Sequence, residues 1–405
     1  MDRLGGPASM DPRRRNVLIL GVTWALMAPM SSAIGVYSSL YVMELGGSPL
    51  AVGLLSMIGS VTMAFSRLIG GYLADSVGRK TIMAPMTVVY GLATALYAVA
   101  EDWTWLIPAS FLTSLALMYQ PSVPALLADS LPPEQRGRGL SLLGTVSSVL
   151  GLAGPPVAAA MVALVGLLRA VRLMYWIQAA VLIACGVARF FLVETLSERS
   201  RPSLGEALRG YLDSLRILRE RLGWLIAVTT ASQCVYSAAG PFIQVYAVKF
   251  LGLSPEEWGL IATVSSVVNT ATLLPSGYLA DRVGRGQTMA LAYFTALLGF
   301  AALSASQGGF WWILASMVLL NAVSSWPPSF AAVADLTPTA HRGRMSAITG
   351  FIRGTLSGPS SLAGGVLYEV SPRGLMAFAS LALVPVALGA LKIRVGPSEE
   401  KEVEG

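Results

Sequence analysis

Long apolar runs separated by short polar connectors dominate the chain. A helix needs about 20 mostly apolar residues to cross the hydrocarbon core of a bilayer, and runs of this length recur along the whole sequence. The pattern predicts an all-α membrane protein. Its twelve predicted transmembrane helices cover residues 17–43, 51–74, 81–100, 105–128, 139–166, 173–193, 223–248, 258–280, 288–306, 311–334, 345–367 and 375–392.

One connector, residues 194–222, is much longer than the others. It contains Ser203 followed three residues later by Glu206, which is the capping-box pattern of a helix N-terminus. Leucines then recur at helical spacing as far as Leu222, so we expect an amphipathic helix at the membrane surface, with a regulatory binding segment as the alternative. The predicted organisation is a tail (1–15), a six-helix half (16–193), this linker, a second six-helix half (223–394) and a tail (395–405).

The positions of basic residues predict which side of the membrane each connector faces. Of the 28 Lys and Arg residues, 21 lie in segments that are cytoplasmic if both termini are inside, and 4 lie in outer connectors. The remaining three, Arg67, Arg189 and Arg353, lie within predicted helices. Because cytoplasmic connectors are enriched in Lys and Arg, we expect a multi-pass protein of the cell (plasma) membrane with both termini cytoplasmic.

Composition supports a membrane protein. Hydrophobic residues make up 54% of the chain and charged residues only 12%, against about 25% charged in soluble domains. The net charge of +6 comes from residues beside apolar runs, so the lipid bilayer is the expected partner rather than nucleic acid. Cys185 and Cys234 lie in apolar runs without metal-ligand spacing, and we expect neither a metal nor a cofactor.

A repeat at an offset of 206 residues divides the chain into two similar halves. Residues 71–79 read GYLADSVGR and residues 277–285 read GYLADRVGR. The pair Asp129 and Arg136 recurs at the same offset as Asp335 and Arg342. We therefore expect two six-helix halves related by pseudo-two-fold symmetry. Transporters built this way bind substrate near the bilayer midplane, between the halves.

These motifs carry a family resemblance that covers residues 16–394. Residues 71–80 closely resemble the signature Gly-x-Leu-Ala-Asp-Arg-x-Gly-Arg-Lys, which joins helices two and three of the major facilitator superfamily. Residues 44–55 resemble the outer connection between helices one and two in its drug-efflux branches. The resemblance implies the major facilitator fold and secondary transport by alternating access.

The resemblance also implies that the loop motifs form a clasp between the halves on the cytoplasmic face, closed in the outward-open state. The alternative is that the motif residues only shape turns and set topology, since glycines permit tight turns and acids pair with helix N-termini. The candidate gating residues are Gly71, Asp75, Gly78, Arg79, Lys80, Asp129, Arg136, Gly277, Asp281, Gly284, Arg285, Asp335 and Arg342.

Arg67 and Arg353 are predicted to lie about 12–14 Å inside the cytoplasmic helix ends, from a rise of about 1.5 Å per residue. An ionisable residue at this depth is expected to face the protein interior or a wet cavity. One hypothesis is an anion-binding pair for a carboxylate or phosphate. The other is gating, through hydrogen bonds to carbonyl groups or to Asp129 and Asp335.

Helices one, four, seven and ten are expected to line the substrate cavity, as the resemblance implies. Buried polar groups are costly in lipid, so their polar and aromatic side chains should face inward, contacting substrate or one another. With one residue from helix eight, these candidates are Trp24, Ser31, Tyr37, Tyr119, Gln120, Gln233, Tyr236, Gln244, Asn269, Asn321, Ser325 and Trp326.

Two Gly-Pro pairs, Gly154-Pro155 and Gly358-Pro359, occupy related places in the fifth and eleventh predicted helices. The first partly resembles the fifth-helix signature of antiporters. Kinks and close helix packing account for both pairs. We therefore expect them to pack helices.

Acidic residues are absent from the predicted midplane, and the single histidine, His341, lies in a loop. A coupling ion, a proton or another, would therefore act through residues at helix ends such as Glu44, Asp129 and Asp335, or travel with the substrate. No nucleophile–base pair or phosphate-binding loop indicates an enzyme. We expect a monomeric transporter of small molecules that exports amphipathic or drug-like solutes. An organic-anion transporter using Arg67 and Arg353 and a non-transporting receptor or scaffold are the alternatives.

Overall fold

The computed structural model describes residues 11–196, 222–337 and 342–393. The predicted amphipathic linker helix falls almost entirely on residues 197–221, outside this described part, as do residues 1–10 and 394–405 of the two tails. The side chains of Asp75 and Arg342 also lie outside it.

The described residues form helical segments that we number α1 to α12. Each follows one predicted run. Their bounds are α1 Pro12–Glu44, α2 Pro49–Val77, α3 Arg79–Val99, α4 Trp103–Ser130, α5 Arg136–Val165, α6 Leu167–Arg189, α7 Gly223–Val245, α8 Pro255–Val283, α9 Arg285–Ala305, α10 Phe310–Asp335, α11 Arg342–Val370 and α12 Pro372–Leu391.

Three of these segments are interrupted, whereas the sequence predicted continuous helices. α4 divides into Leu106–Ala116 and Ser122–Ser130, α5 into Arg136–Gly151 and Gly154–Val165, and α10 into Phe310–Asn321 and Trp326–Asp335. In each case proline stands at or just after the break, at Pro121, Pro155 and Pro327 in turn. Proline has no backbone N–H to continue the helix, but it fits the first turn of a new one.

The repeated loop motif reduces each helix connection to a single glycine. α2 ends at Val77 and α3 starts at Arg79, and the backbone angle φ of the intervening Gly78 is 118°. Gly284 joins α8 to α9 with φ of 119°. Glycine alone adopts such positive angles at no steric cost, so the two motif copies build matching turns.

In the described part of the chain, ten helical segments are long and apolar enough to cross a membrane. α7 and α11 are not among them. α7 contains consecutive threonines and two glutamines, and α11 contains Arg353 with several serines and glycines. The structure is therefore an all-helical membrane fold in its described residues, with no strand among them.

Helix packing repeats between the two halves. α3 packs against α6 as α9 packs against α12, and α1 packs against α6 as α7 packs against α12. Across the halves, α2 packs along α11 and the second part of α5 packs against α8. The helix ends fall into two groups. We call the end that carries Gly78 and Gly284 the motif end, and the end that carries residues 45–48 and 251–254 the far end.

Candidate functional site

The far end is closed by contacts between the halves that meet on one turn of α1. The Tyr37 hydroxyl donates to the carbonyl oxygen of Pro255 at 2.8 Å, and Trp258 Nε1 donates to the Val36 carbonyl at 2.9 Å. Tyr37 is fully buried and Trp258 is 5% exposed. Because hydrogen bonds in such a dry site are not in competition with water, this turn holds the first and second halves together.

Gln244 of α7 completes the same closure. Its Oε1 accepts from the backbone N–H groups of Ser39 and Leu40, at 3.2 and 3.4 Å. At the rim, the Lys249 ammonium is 2.7 Å from a Glu44 carboxylate oxygen. The closure therefore has a buried layer and an exposed ion pair.

α2 and α11 close one side of the interface over much of their length. A methyl group added at Gly53 would come within 2.6 Å of the Ser361 carbonyl oxygen, so the two backbones nearly touch there. Further toward the motif end, Phe65 and Phe351 meet edge to face with ring centroids 5.1 Å apart. Six hydrogen bonds between the halves lie at the far end.

Two cavities lie between the halves. The first, of about 660 Å³, is walled by α1, α5, α7, α8 and α10, and the second, of about 460 Å³, by α2, α4, α7 and α11. Neither lining contains an acidic or basic side chain. Hydroxyl and amide groups alternate with apolar side chains on both, so the chemistry on offer is neutral hydrogen bonding beside apolar surface.

Five of the predicted cavity residues line these two cavities. Gln244, Asn269 and Asn321 line the first, and Gln233 and Tyr236 line the second. Asn269 Nδ2 donates to Asn321 Oδ1 at 3.1 Å, so the two amides are paired across α8 and α10.

The other predicted cavity residues line neither cavity and have different surroundings. Tyr37 lies in the far-end closure, and Ser31 accepts a hydrogen bond from Gln178 Nε2 at 3.0 Å. Trp326 is 67% exposed and stacks on Phe330. Four more predicted residues also line neither cavity and contact other parts of the protein: Trp24, Tyr119, Gln120 and Ser325.

Arg67 and Arg353 are directed into their own halves. Arg67 Nε donates to Gln120 Oε1 at 3.0 Å, and Arg353 Nη2 donates to Thr229 Oγ1 at 2.9 Å. Each lies two residues past a phenylalanine of the α2–α11 contact, and two residues rotate a helix position by about 200°. The guanidinium groups thus face away from the contact between the halves, and they do not bond Asp129 or Asp335.

Those two carboxylates belong to the loop motifs instead. Asp129 accepts from Arg79 and, at 2.9 Å, from the Thr195 hydroxyl. In the second half, Arg285 Nε is 2.7 Å from Asp335 and its Nη1 is 3.0 Å from Asp281. Arg79 and Arg285 therefore pair with acids of their own half in this conformation.

Lys80 and Arg136 of the candidate motif residues also contact their own half. The backbone N–H of Lys80 donates to Glu194, and Arg136 Nε donates to the Ala128 carbonyl. Gly71 and Gly277 have no close neighbour that an added methyl group would strike. Of the two Gly-Pro pairs, Gly154 packs on α1 at the Pro29 carbonyl, whereas Gly358 packs on α2 across the interface.

Arg189 is a residue whose surroundings the sequence did not reveal. It is fully buried, and its Nη1 donates to Thr87 Oγ1 at 2.7 Å. Its guanidinium also lies 5.1 Å from the centre of the Tyr119 ring. The sequence signal was its position inside an apolar run, because such arginines face the protein interior.

Comparison with known proteins identifies relatives that are transporters. The niacin transporter NiaP of Acinetobacter baylyi is 33% identical over 126 residues, which cover 31% of this chain and 29% of NiaP. The multidrug resistance protein MdtG of Yersinia enterocolitica is 27% identical over 282 residues, 67% of this chain and 66% of MdtG. The aligned segments thus span less than two thirds of either relative.

Solved structures share the fold across nearly the whole chain. The D-xylose-proton symporter has a TM-score of 0.71 at 18% identity, covering 94% of this chain and 97% of the symporter. The human organic anion transporter MFSD10 has a TM-score of 0.64 at 16% identity, covering 94% and 100%.

The family model of the Major Facilitator Superfamily matches residues 16–254 and 225–405. These matches span nearly the whole sequence, so the family expected from the loop motifs is confirmed. The chain belongs to the Major Facilitator Superfamily, whose members are transporters and not enzymes.

Proposed function

We propose that this chain is a secondary transporter that works by alternating access and exports amphipathic, drug-like small molecules. The observation that carries this proposal is a pair of cavities between the halves, together with buried hydrogen bonds that join the halves at the far end. A transporter with one closed end is in one of the two states that alternating access requires.

The proposed topology has twelve membrane crossings in two halves related by pseudo-two-fold symmetry. The shared packing pattern supports including α7 and α11, because each packs against helices that are apolar enough to cross. Both termini are then cytoplasmic and the motif end is the cytoplasmic end, as the basic residues favour. The conformation is accordingly inward-facing, and one chain suffices as the transporting unit.

The linings support a substrate without a strong charge. Serine hydroxyls and amides stand beside apolar groups such as Leu273, Met317 and Trp258 in the first cavity, with no ionised side chain. Such a surface suits an amphipathic solute that needs a few hydrogen bonds and apolar contact. The similarity to MdtG, a multidrug resistance protein, favours the same class.

Coupling to an ion would use groups outside these cavities. Glu44, Asp129 and Asp335 lie at helix ends, each paired with a basic residue. A relative over 125 residues at 31% identity is the Na(+), Li(+), K(+)/H(+) antiporter of Planococcus maritimus. A proton or another cation is therefore the proposed driving ion, unless the solute carries the proton itself.

Reconstitution tests the proposed function directly. Purified protein is screened by thermal shift against lipophilic cations, organic acids and sugars at two pH values, and stabilising compounds are then followed as flux in proteoliposomes. We expect stabilisation by uncharged amphipathic compounds and saturable flux of them. Stabilisation by organic acids alone, or binding without flux, contradicts the proposal.

Transport of an organic anion is the second candidate, favoured by one observation. Arg353 Nε is buried and has no hydrogen-bond partner among the described residues, so this guanidinium retains a donor for an anionic group. Arg353→Gln and Arg67→Gln separate the candidates. If both variants lose binding of organic acids but still export neutral compounds, the first function is favoured. If they lose flux of an organic acid that the wild type carries, the second function is favoured.

A further inference from the structure

The side-chain amide of Gln244 connects the wall of the first cavity to the far-end closure. Its Oε1 accepts from the N–H groups of Ser39 and Leu40 on α1, while the residue itself lines the first cavity. Gln244 is 7% exposed. One side chain therefore touches both the space that holds a solute and the contact that seals the far end.

The two α1 donors also settle which way the amide points. Backbone N–H groups can be accepted only by an oxygen, so the oxygen of Gln244 faces α1 and the nitrogen faces the other way. No acceptor in the described residues bonds that nitrogen, and it is not among the buried atoms that lack a partner. Nε2 thus has free N–H groups and some accessible surface, on a residue that lines the first cavity.

The other side-chain amides of the two cavities already donate to the protein. Asn269 Nδ2 donates to Asn321 Oδ1 at 3.1 Å, and Asn321 Nδ2 donates to the Met317 carbonyl at 2.9 Å. Gln233 Nε2 donates to the Ser237 hydroxyl at 3.4 Å. Gln244 is therefore the amide in these linings whose nitrogen has no partner within the described chain.

We propose that Gln244 Nε2 donates a hydrogen bond to a carbonyl or hydroxyl oxygen of the transported solute, and that this bond strengthens the far-end closure. The proposal rests on the transport function above and names the polar group that its substrate must carry. A donor that is itself hydrogen-bonded polarises the amide, which makes its oxygen a better acceptor for Ser39 and Leu40. Solute binding and closure are then linked, each favouring the other.

A pair of small probes isolates the hydrogen bond. N,N-dimethylbenzamide carries a carbonyl acceptor and no donor, and cumene has similar size without an acceptor. Dissociation constants for both are measured on purified protein by thermal shift titration. Because cumene is more apolar and gains more from leaving water, the quantity compared is the amide-to-cumene affinity ratio of each protein. We expect this ratio to be about fivefold or more higher in wild-type protein than in Gln244→Met, since a net hydrogen bond of about 1 kcal/mol corresponds to that factor.

Two variants separate contact with the solute from closure. Gln244→Met keeps the length of the side chain and removes both amide groups, so it should lower the amide-to-cumene ratio. Tyr37→Phe removes the Tyr37–Pro255 bond of the closure without touching the cavity lining, so it should retain the wild-type ratio. Both variants should weaken the closed far end.

Closure is read by spin labels at Glu101 and Gln307, two exposed far-end positions, with Cys185 and Cys234 replaced by alanine. We expect a short distance in wild-type protein that N,N-dimethylbenzamide populates further, and longer distances in Gln244→Met that the probe does not change. Cumene should not populate the short distance.

Two results overturn the inference. They are a Gln244→Met variant that keeps the wild-type amide-to-cumene ratio, and a Tyr37→Phe variant whose ratio falls as far as that of Gln244→Met. Proteoliposome flux is measured in parallel, and its result is independent of the binding tests. If the protein passes the probe and distance tests but carries no solute, the proposed transport is refuted while the contact between Gln244 and the solute stands.

Discussion

Arg189 and Arg353 place their guanidinium groups at corresponding points of the two halves, although α6 and α11 are not corresponding helices. Arg189 donates to Thr23 and Thr87, and Arg353 donates to Thr229 and lies near Tyr293. Thr229 and Tyr293 are the residues 206 positions after Thr23 and Thr87. Each half therefore has an arginine between its first and third helices, supplied by a different helix.

The contacts of Arg189 predict an unusual order of stabilities. Thr87→Val removes one of the two threonine acceptors of a fully buried guanidinium, and a lost hydrogen bond to a charged group costs about 2 kcal/mol. Arg189→Met should cost less, because the Thr23 and Thr87 hydroxyls still donate to the carbonyls of Leu20 and Met83.

Thermal unfolding midpoints in detergent check this order. Thr94→Val is the matched control, since Thr94 also lies in α3 and donates to its own helix at Tyr90 with no arginine beside it. Its midpoint should stay close to that of the wild type. A midpoint for Arg189→Met below that of Thr87→Val would show that the guanidinium is itself the main stabilising group.

Close packing of α2 on α11 predicts that Gly53→Ala opens the far end. The added methyl group would meet the Ser361 carbonyl oxygen at 2.6 Å, and a backbone atom in a helix has little room to yield. We expect longer distances between far-end spin labels and a lower unfolding midpoint. Gly144→Ala in α5 is the control, because no atom lies within 4 Å of its new methyl group. Equal distances in both variants would contradict the expectation.

The proposed clasp at the motif end predicts a loss of flux without a loss of stability. Asp281 is 66% exposed and pairs with Arg285 four residues later, and such surface pairs contribute less than about 1 kcal/mol. Asp281→Asn should therefore leave the unfolding midpoint nearly unchanged while reducing flux. Asp75→Asn, at the corresponding position of the first half, should do the same with normal expression. Wild-type flux in reconstituted vesicles for both variants would refute the clasp.

The two layers of the far-end closure should respond differently to salt. Lys249 and Glu44 are 45% and 32% exposed, so Glu44→Gln should change the closed population by less than about fivefold. That change should vanish near 1 M salt, where the screening length falls to about 3 Å. The effect of Tyr37→Phe should persist at high salt because Tyr37 is fully buried. Equal salt sensitivity of the two variants argues against a buried layer.

The helices, the repeat and the family could be predicted from the sequence for a physical reason. In lipid, every backbone N–H and C=O group must be paired within the segment, so apolar runs of sufficient length become helices whatever their neighbours are. The glycine connectors at Gly78 and Gly284 were equally readable, because their turns require a backbone angle that other residues resist. These features depend on local chemistry.

The tertiary structure alone showed which face of each helix meets a cavity, a neighbour or lipid. Lipid and protein interior are similarly apolar, so periodicity does not orient a membrane helix. The sequence left open whether Arg67 and Arg353 bind an anion or gate, and the structure shows each of them bonded within its own half. The sequence placed Gln244 and Arg189 in apolar runs, but their roles depend on α1, α3 and α4, which only packing brings to them.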